Sequence, residues 1–209
     1  MKNKPLILST AYFPPIDYWV SISQHSKVLI EAHENYQKQS FRNRCQIMGP
    51  NGVQNLNIPI AKTGKAKTPI REVQIFDDQL WQKIHWKSIE TAYNCSPFFL
   101  YYADYFEGLF TQKPKGLFDF NMDIMNSIMD ILELDQKLET TDSYIKNYDD
   151  AVDLRNVIHP KRESIYTDKL RTNEYIQVFS ERHGFAPNLS ILDLIFNLGP
   201  EARFYIDAI

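Results

Sequence analysis

The chain has only two cysteines, Cys45 and Cys95, and they are far from any C-x-x-C spacing. That speaks against a disulfide framework and for a reducing compartment. Glycine is scarce, 7 in 209 residues, and no tract is repetitive or of low complexity, so a collagen-like or linker-rich disordered chain is not expected. No run approaches the roughly 18 apolar residues of a membrane span. The opening MKNKPLILSTAYF holds a three-residue aliphatic run and no small-residue cleavage site, which argues against a signal peptide. Together these absences predict a soluble, cytoplasmic protein. The common site signatures are missing too: there is no G-x-G-x-x-G, no P-loop and no G-x-S-x-G elbow. No aspartate stands two positions from another, so an Asp-x-Asp site for a metal-bound sugar nucleotide is unsupported. The five histidines, at 25, 33, 85, 159 and 183, lack ligand spacing, and neither a metal nor another cofactor is expected.

What the sequence does contain is core and a lopsided charge. With 44% hydrophobic residues, 13 Phe, 12 Tyr and 3 Trp, the chain can bury a full core as one large domain or two small ones. The net charge of −3 argues against nucleic acid as the main partner. From Asn35 to Arg71 there is no Asp or Glu, while Lys38, Arg42, Arg44, Lys62, Lys65, Lys67 and Arg71 give +7. Residues 1–34 carry three bases and three acids, so residues 72–209 must hold −10. A local +7 in an acidic protein reads as an anion-binding face, or else as cations blunting exposed strand edges. Lys62, Lys65 and Lys67 lie in a Thr/Gly/Ala/Pro-rich tip and are read as dressing a mobile loop.

Residues 5–13 (PLILSTAYF) predict a buried strand, stopped by Pro14-Pro15. Ile16 to Ser26 has helical spacing at Ile16, Trp19 and Val20, and Lys27–Glu31 resembles a second strand, which makes a βαβ unit. A hairpin over 45–60 turns at Asn51-Gly52, the strongest short-range signal for a type I′ turn, and a further strand is expected at Arg71–Phe76. Helices are predicted at Gln79–Asn94, over PFFLYYADYFEGLF, at Leu117–Leu134, at Glu174–Arg182 and at Leu189–Asn197, the last ended by Gly199-Pro200. Residues 139–175 read as a long connection with at most short structure. The expected fold class is α/β: an N-terminal βαβ plus hairpin mixed sheet over 1–76, packed by a mainly helical half, 77–209, within a single domain.

Ligands of open α/β sheets gather outside the C-terminal strand ends, which draws attention to the βα turn at Tyr12 and to residues just after the second strand. His33 is the candidate general base there, beside Tyr36. Arg42 and Arg44 are expected to hold phosphate, with Asn43 orienting and Lys38 nearby, because guanidinium groups carry only donors and need an anion or carboxylates. In an extended segment the two arginines would share a side. Lys83 and Lys87, four apart, share a helix face and either complete the anion site or are solvated. Asp193 is the second catalytic candidate, although Ser190-x-x-Asp193 also fits a capping box, with Asn188 as an alternative cap and binding residue. His85, beside Trp81 and Ile89, reads as a satisfied buried histidine, and Cys45 as a buried strand residue.

Four blocks carry a resemblance: LSTAYFPPIDYW, YQKQSFRNRCQI, WQKIHWKSIETAYNCSPFF and FAPNLSILDLIFNLGPEA. In this order they resemble the WbqC-like family from near the N-terminus to about residue 205. The resemblance implies a setting in surface polysaccharide (O-antigen-type) assembly and leaves the reaction open. Where the family has a Gln-Pro-Tyr-like turn, this chain reads Ser9-Thr10-Ala11-Tyr12, which removes a side-chain amide from that turn. Two readings follow. One is a transferase or accessory enzyme acting on a small anionic substrate, a nucleotide-linked or acyl donor. The other is a non-catalytic anion-binding or scaffolding protein. The discriminator is a buried acid or base beside the arginines.

Overall fold

A computed structural model describes residues 4–209, apart from 63, 65–66 and 77–79. Lys65 and the first residue of the helix predicted from Gln79 therefore lie outside the described residues. The architecture is mixed α/β, as its sequence pattern predicts, with a parallel sheet of four strands, a separate antiparallel hairpin and eight described helices mostly in the C-terminal half.

The sheet starts from β1 (Leu6–Ser9), whose four residues are all buried. A strand covered on both faces reads as a continuous apolar run, which is why LIL shows no alternation. The chain crosses through α1 (Ile16–Ser23) to β2 (Val28–Glu31), parallel to β1 with Leu6 opposite Val28 and Ser9 opposite Glu31. Both outer strands come from the second half of the chain. They are β5 (Leu138–Thr140), beside β2, and β6 (Val152–Asp153), beside β1, giving the order β5-β2-β1-β6. At three and two residues they are too short for any periodicity to reveal.

The hairpin of β3 (Arg44–Gly49) and β4 (Gly52–Asn57) pairs only with itself. Its turn differs from the expected type I′. Gly49 pairs with Gly52, so Pro50 and Asn51 fill the loop, and a type I′ turn needs positive φ at both central positions, which the proline ring forbids. The positive φ of 104° falls on Gly52 instead. The strand expected at Arg71–Phe76 is a 3-10 turn at Ile70–Glu72, followed by single bridges at Gln74 and Ile75. Ile70 and Val73, both buried, stand three apart, which is the 3-10 period.

Helices α2 (Trp81–Tyr93), α3 (Phe99–Thr111), α4 (Leu117–Ile131) and α7 (Ile191–Leu198) fall close to their predicted positions. The helix expected over Glu174–Arg182 is mostly irregular chain. Only α5 (Thr167–Thr172) and α6 (Ser180–His183) form nearby, because Tyr175 and Gln177 turn their side chains inward to Asp193. After Gly199 the chain re-enters helix as α8 (Glu201–Ala208). Gly199 has φ 55°, and any Cβ there would strike the Phe98 ring, so glycine is what lets the α7–α8 corner dock on the start of α3. α1 packs on α7 and α8, which explains why seven of its eight residues are buried.

Candidate functional site

The site begins at the turn between β1 and α1. Phe13 there has φ 40°, an uncommon conformation for a residue with a side chain, and it is held by packing. Its ring lies 4.9 Å from Tyr12 and 6.0 Å from Phe110, fully buried. Pro14-Pro15 then delivers the chain into α1 with Asp17 in the first turn. The orphan donors of that helix end are filled from the 188–189 segment: Ile16 N donates to Leu189 O at 3.0 Å and Asp17 N to Asn188 Oδ1 at 2.9 Å.

The Asp17 carboxyl is only 2% exposed, and its Oδ1 has no hydrogen-bond partner. Burial pushes its pKa up to about 6, against the opposing pull of Ser164, Asn188 and the Tyr18 backbone. It lines a cleft of about 310 Å³ whose walls also include Gln46 of β3, His159, Arg162, Ser164, Arg171 and Asn188. An acid whose pKa is raised toward neutrality and that lines a cavity is the combination that acid–base chemistry uses.

The other walls supply positive charge. His159 Nδ1 accepts the Lys161 backbone N–H at 3.1 Å, so a neutral ring carries its proton on Nε2. Its pKa is lowered by desolvation and then by Arg162, Arg42, Lys161 and Arg44. Among these, Arg42 is already neutralised. It is 3% exposed and grips Glu34 with two bonds, Nε to Oε1 at 2.7 Å and Nη2 to Oε2 at 2.5 Å, while Nη2 also meets Ser9 Oγ at 2.6 Å. Arg44, by contrast, starts β3 half-exposed, its Nε on the neutral Asn57 Oδ1 at 2.7 Å. The shared face expected for the two arginines is not formed, because Arg42 lies in a turn ahead of the strand and points inward.

Of the other residues singled out by sequence, Asn188 alone lines this cleft, and it caps α1 rather than α7. His33 is exposed at the end of β2, its Nε2 donating to Thr141 O at 3.0 Å. Asp193 is buried in α7. Its Oδ2 accepts from Tyr175 at 2.5 Å and Gln177 at 2.8 Å, and burial raises its pKa to about 6. The capping box is not made. Ser190 Oγ does accept from Leu192 N, but the Ser190 N–H is spent on Gln46 O. Tyr12 is fully buried against His85 Nδ1 at 2.8 Å, and burial first of all lowers the His85 pKa to about 4, so this histidine is the satisfied core residue expected. Asn43 Nδ2 donates to Ile58 O and closes the hairpin base, and Tyr36 N bonds Thr68 O. Lys38 and Lys83 are exposed, and Lys87 pairs with Glu90 at 3.1 Å.

Sequence reasoning passed over Asp17, His159 and Arg162. The signal for Asp17 was available: an acid directly after a strand and a Pro-Pro stop, in the first helical turn. Missed as well was a second buried network at the C-terminal strand ends. There Arg155 joins Glu31 of β2 at 2.8 Å and Asp153 of β6 at 2.6 Å, packed by Tyr144 and Tyr148. Among the described residues, no three His, Cys, Asp or Glu side chains are grouped to hold a metal ion, and no helix is long and apolar enough to cross a membrane.

Fold and cleft together give an α/β protein in which a buried carboxyl, a histidine and two arginines line one cleft. The chain belongs to the WbqC-like protein family, which matches residues 10–162, a span that includes Asp17, Arg44, His159, Lys161 and Arg162. It is also 26% identical over 226 residues to the uncharacterized protein Rv1507c of Mycobacterium tuberculosis (strain ATCC 25618 / H37Rv), covering 98% of this chain and 97% of that one. No solved structure matches.

Proposed function

We propose that the protein is a group-transfer enzyme of surface-polysaccharide assembly that uses an anionic donor, with Asp17 as its general acid–base. The observation that carries this reading is the Asp17 carboxyl: buried, with one oxygen unpartnered, and facing the cleft. Asp193 is equally buried and also has one unpartnered oxygen, but it lies inside the core under Tyr175 and Gln177, whereas Asp17 lines the cleft. In the step proposed, a hydroxyl or amine of the acceptor attacks the electrophilic carbon of the donor. The new bond forms with the acceptor's electron pair, the acceptor proton passes to Asp17, and the anionic leaving group departs with the electrons of the broken bond. Arg162 and its neighbours stabilise the departing charge.

The WbqC-like family supports the polysaccharide setting, and the cation-lined cleft supports the anionic donor. Incubating the protein with nucleoside-diphosphate sugars and acyl thioesters, each with sugar or amino-sugar acceptors, and reading products by mass spectrometry tests the reading. Asp17→Asn should lose turnover by a factor of about 10² or more while keeping donor binding. Unchanged turnover in Asp17→Asn removes the proposed base. Donor binding with no product from any pair favours a non-catalytic binding protein instead.

A further inference from the structure

We infer that the cleft holds a diphosphate group at its mouth, on Arg162, His159, Lys161 and Arg44. The inference rests on the reading of the cleft as a donor site and narrows the donor to a nucleoside-diphosphate compound.

A count of charges decides between a single carboxylate or thioester and a diphosphate. Four cations act on His159: Arg162, Arg42, Lys161 and Arg44. Arg42 is cancelled by Glu34 in a buried pair. Arg171, further along the wall, is matched by Glu163 at 3.2 Å. The remaining three have no carboxylate among the described residues. Lys161 Nζ rests on Gln39 Oε1 at 2.6 Å and Arg44 Nε on Asn57 Oδ1, both neutral oxygens that leave the charge uncompensated. Arg162 on the cleft wall, with Lys161 and Arg44 also acting on the cleft-lining His159, suits a ligand carrying two or three negative charges, and a monoanion would leave most of the repulsion in place.

Placement agrees with the count. Arg162 and His159 line the same cleft, and Arg162 N bonds the His159 carbonyl at 2.9 Å, which sets the two side chains on one turn. Gln46 lines the cleft from β3, and Arg44 stands two residues before it on the same strand face. The other usual phosphate cradle, a helix N-terminus, is closed here, since Leu189 and Asn188 already take the first amides of α1. His159 contributes a donor rather than a base: Lys161 N–H occupies Nδ1, so the ring offers Nε2–H. The acids on this cleft are Asp17, deeper in, and Glu163, held by Arg171.

Inorganic pyrophosphate, UDP and acetate are titrated into histidine-labelled protein while the His159 ring is followed by NMR. Pyrophosphate and UDP should bind saturably and raise the His159 pKa by offsetting the cations around it, and acetate should leave the ring unchanged. Arg162→Ala and Arg44→Ala should each weaken pyrophosphate binding by about tenfold or more, the loss of one charge-assisted hydrogen bond. Asp17→Asn should bind it at least as well as the parent. Pyrophosphate that leaves His159 unshifted at millimolar concentration, or that binds both arginine variants as well as the parent, overturns the diphosphate site. Because this readout needs no turnover, it separates the two readings: Asp17-dependent transfer from a donor without phosphate would retain the base and remove the diphosphate.

Discussion

At Asp17 two effects oppose each other, and burial prevails. The first turn of a helix favours a carboxylate, yet the group is out of water with one oxygen unpartnered, and its pKa sits near 6 instead of the usual 3.8. The sign of the linkage follows. Below about pH 4 the side chain is protonated in both folded and unfolded chains and contributes nothing. Between about pH 4 and 6 the unfolded chain loses its proton first, so stability falls as pH rises, and above about pH 6 the loss is complete. Asp193, also raised to about 6, adds a second contribution of the same sign. A shift of about two units corresponds to at most about 3 kcal/mol. Asp17→Asn should therefore be more stable than the parent by about 1–3 kcal/mol at pH 7.5 and nearly equal to it at pH 4, as urea unfolding at both pH values would show. Equal stability at both would mean that the carboxylate is better solvated than its burial indicates.

The two arginines of the basic segment make a sharper contrast. Arg42→Ala strands Glu34, which is 4% exposed and would keep only the weak Ser9 contact at 3.3 Å. A buried charge left without its partner costs about 3–5 kcal/mol. Arg44→Ala removes one hydrogen bond from a half-exposed side chain and should change stability by no more than about 0.5 kcal/mol. Denaturation of both variants without ligand checks this. A destabilisation as large for Arg44→Ala as for Arg42→Ala would show that Arg44 has a structural partner of its own.

Among the elements, the 138–154 stretch departs most from what its sequence suggests. It reads as polar connection, and between its two strands it is one: residues 142–147 are exposed and irregular. Its ends, however, close both sides of the sheet, with Thr141 N on Ile30 O, Val152 N on Pro5 O and Leu154 N on Ile7 O. Arg155 fastens them by reaching β2 through Glu31, β6 through Asp153, and the intervening loop through Lys146 O. Hydrogen exchange should thus divide what the sequence reads as one long connection. The amides of Thr141, Val152 and Leu154 should be protected, while those of 143–147 exchange fast. Arg155→Ala leaves Glu31, at 0% exposure, without a cation, and should reduce protection at Val152 and Leu154 by about tenfold or more. Uniformly fast exchange from 139 to 154 in the parent would contradict the edge strands.

Over the whole molecule, what local pattern could reveal was legible and what distance creates was not. LIL, the 3.6 period of α2 and α4 and the Gly199 stop all act within a few residues, and each lies where its pattern says. The +7 segment was visible as charge, but its fate depends on partners the sequence does not announce. Arg42 is taken by Glu34, and Arg44 stands among Lys161 and Arg162, more than a hundred residues on. The cleft is likewise assembled from four separate segments, at residue 17, within 41–53, within 157–171 and at 186–189.

That interleaving carries the last prediction. β1 and β2 from the first third of the chain have both outer neighbours from 138–140 and 152–153, and α1 is covered by α7 and α8. Cut at residue 76, the first fragment would expose Leu6, Leu8, Val28 and Ile30, all at 0% exposure in the intact chain, and would open two sheet edges. The second fragment would lose the surface on which Ile191, Leu194 and Ile195 are buried, and its two short strands would have nothing to pair with. The chain should therefore unfold as one cooperative unit, although its charge and its secondary structure divide it in two. Fragments 1–76 and 77–209 made separately should show no cooperative transition, and mixing them from denaturant should restore one. A dispersed NMR spectrum and a sharp melt from either fragment alone would show that the halves are independent domains.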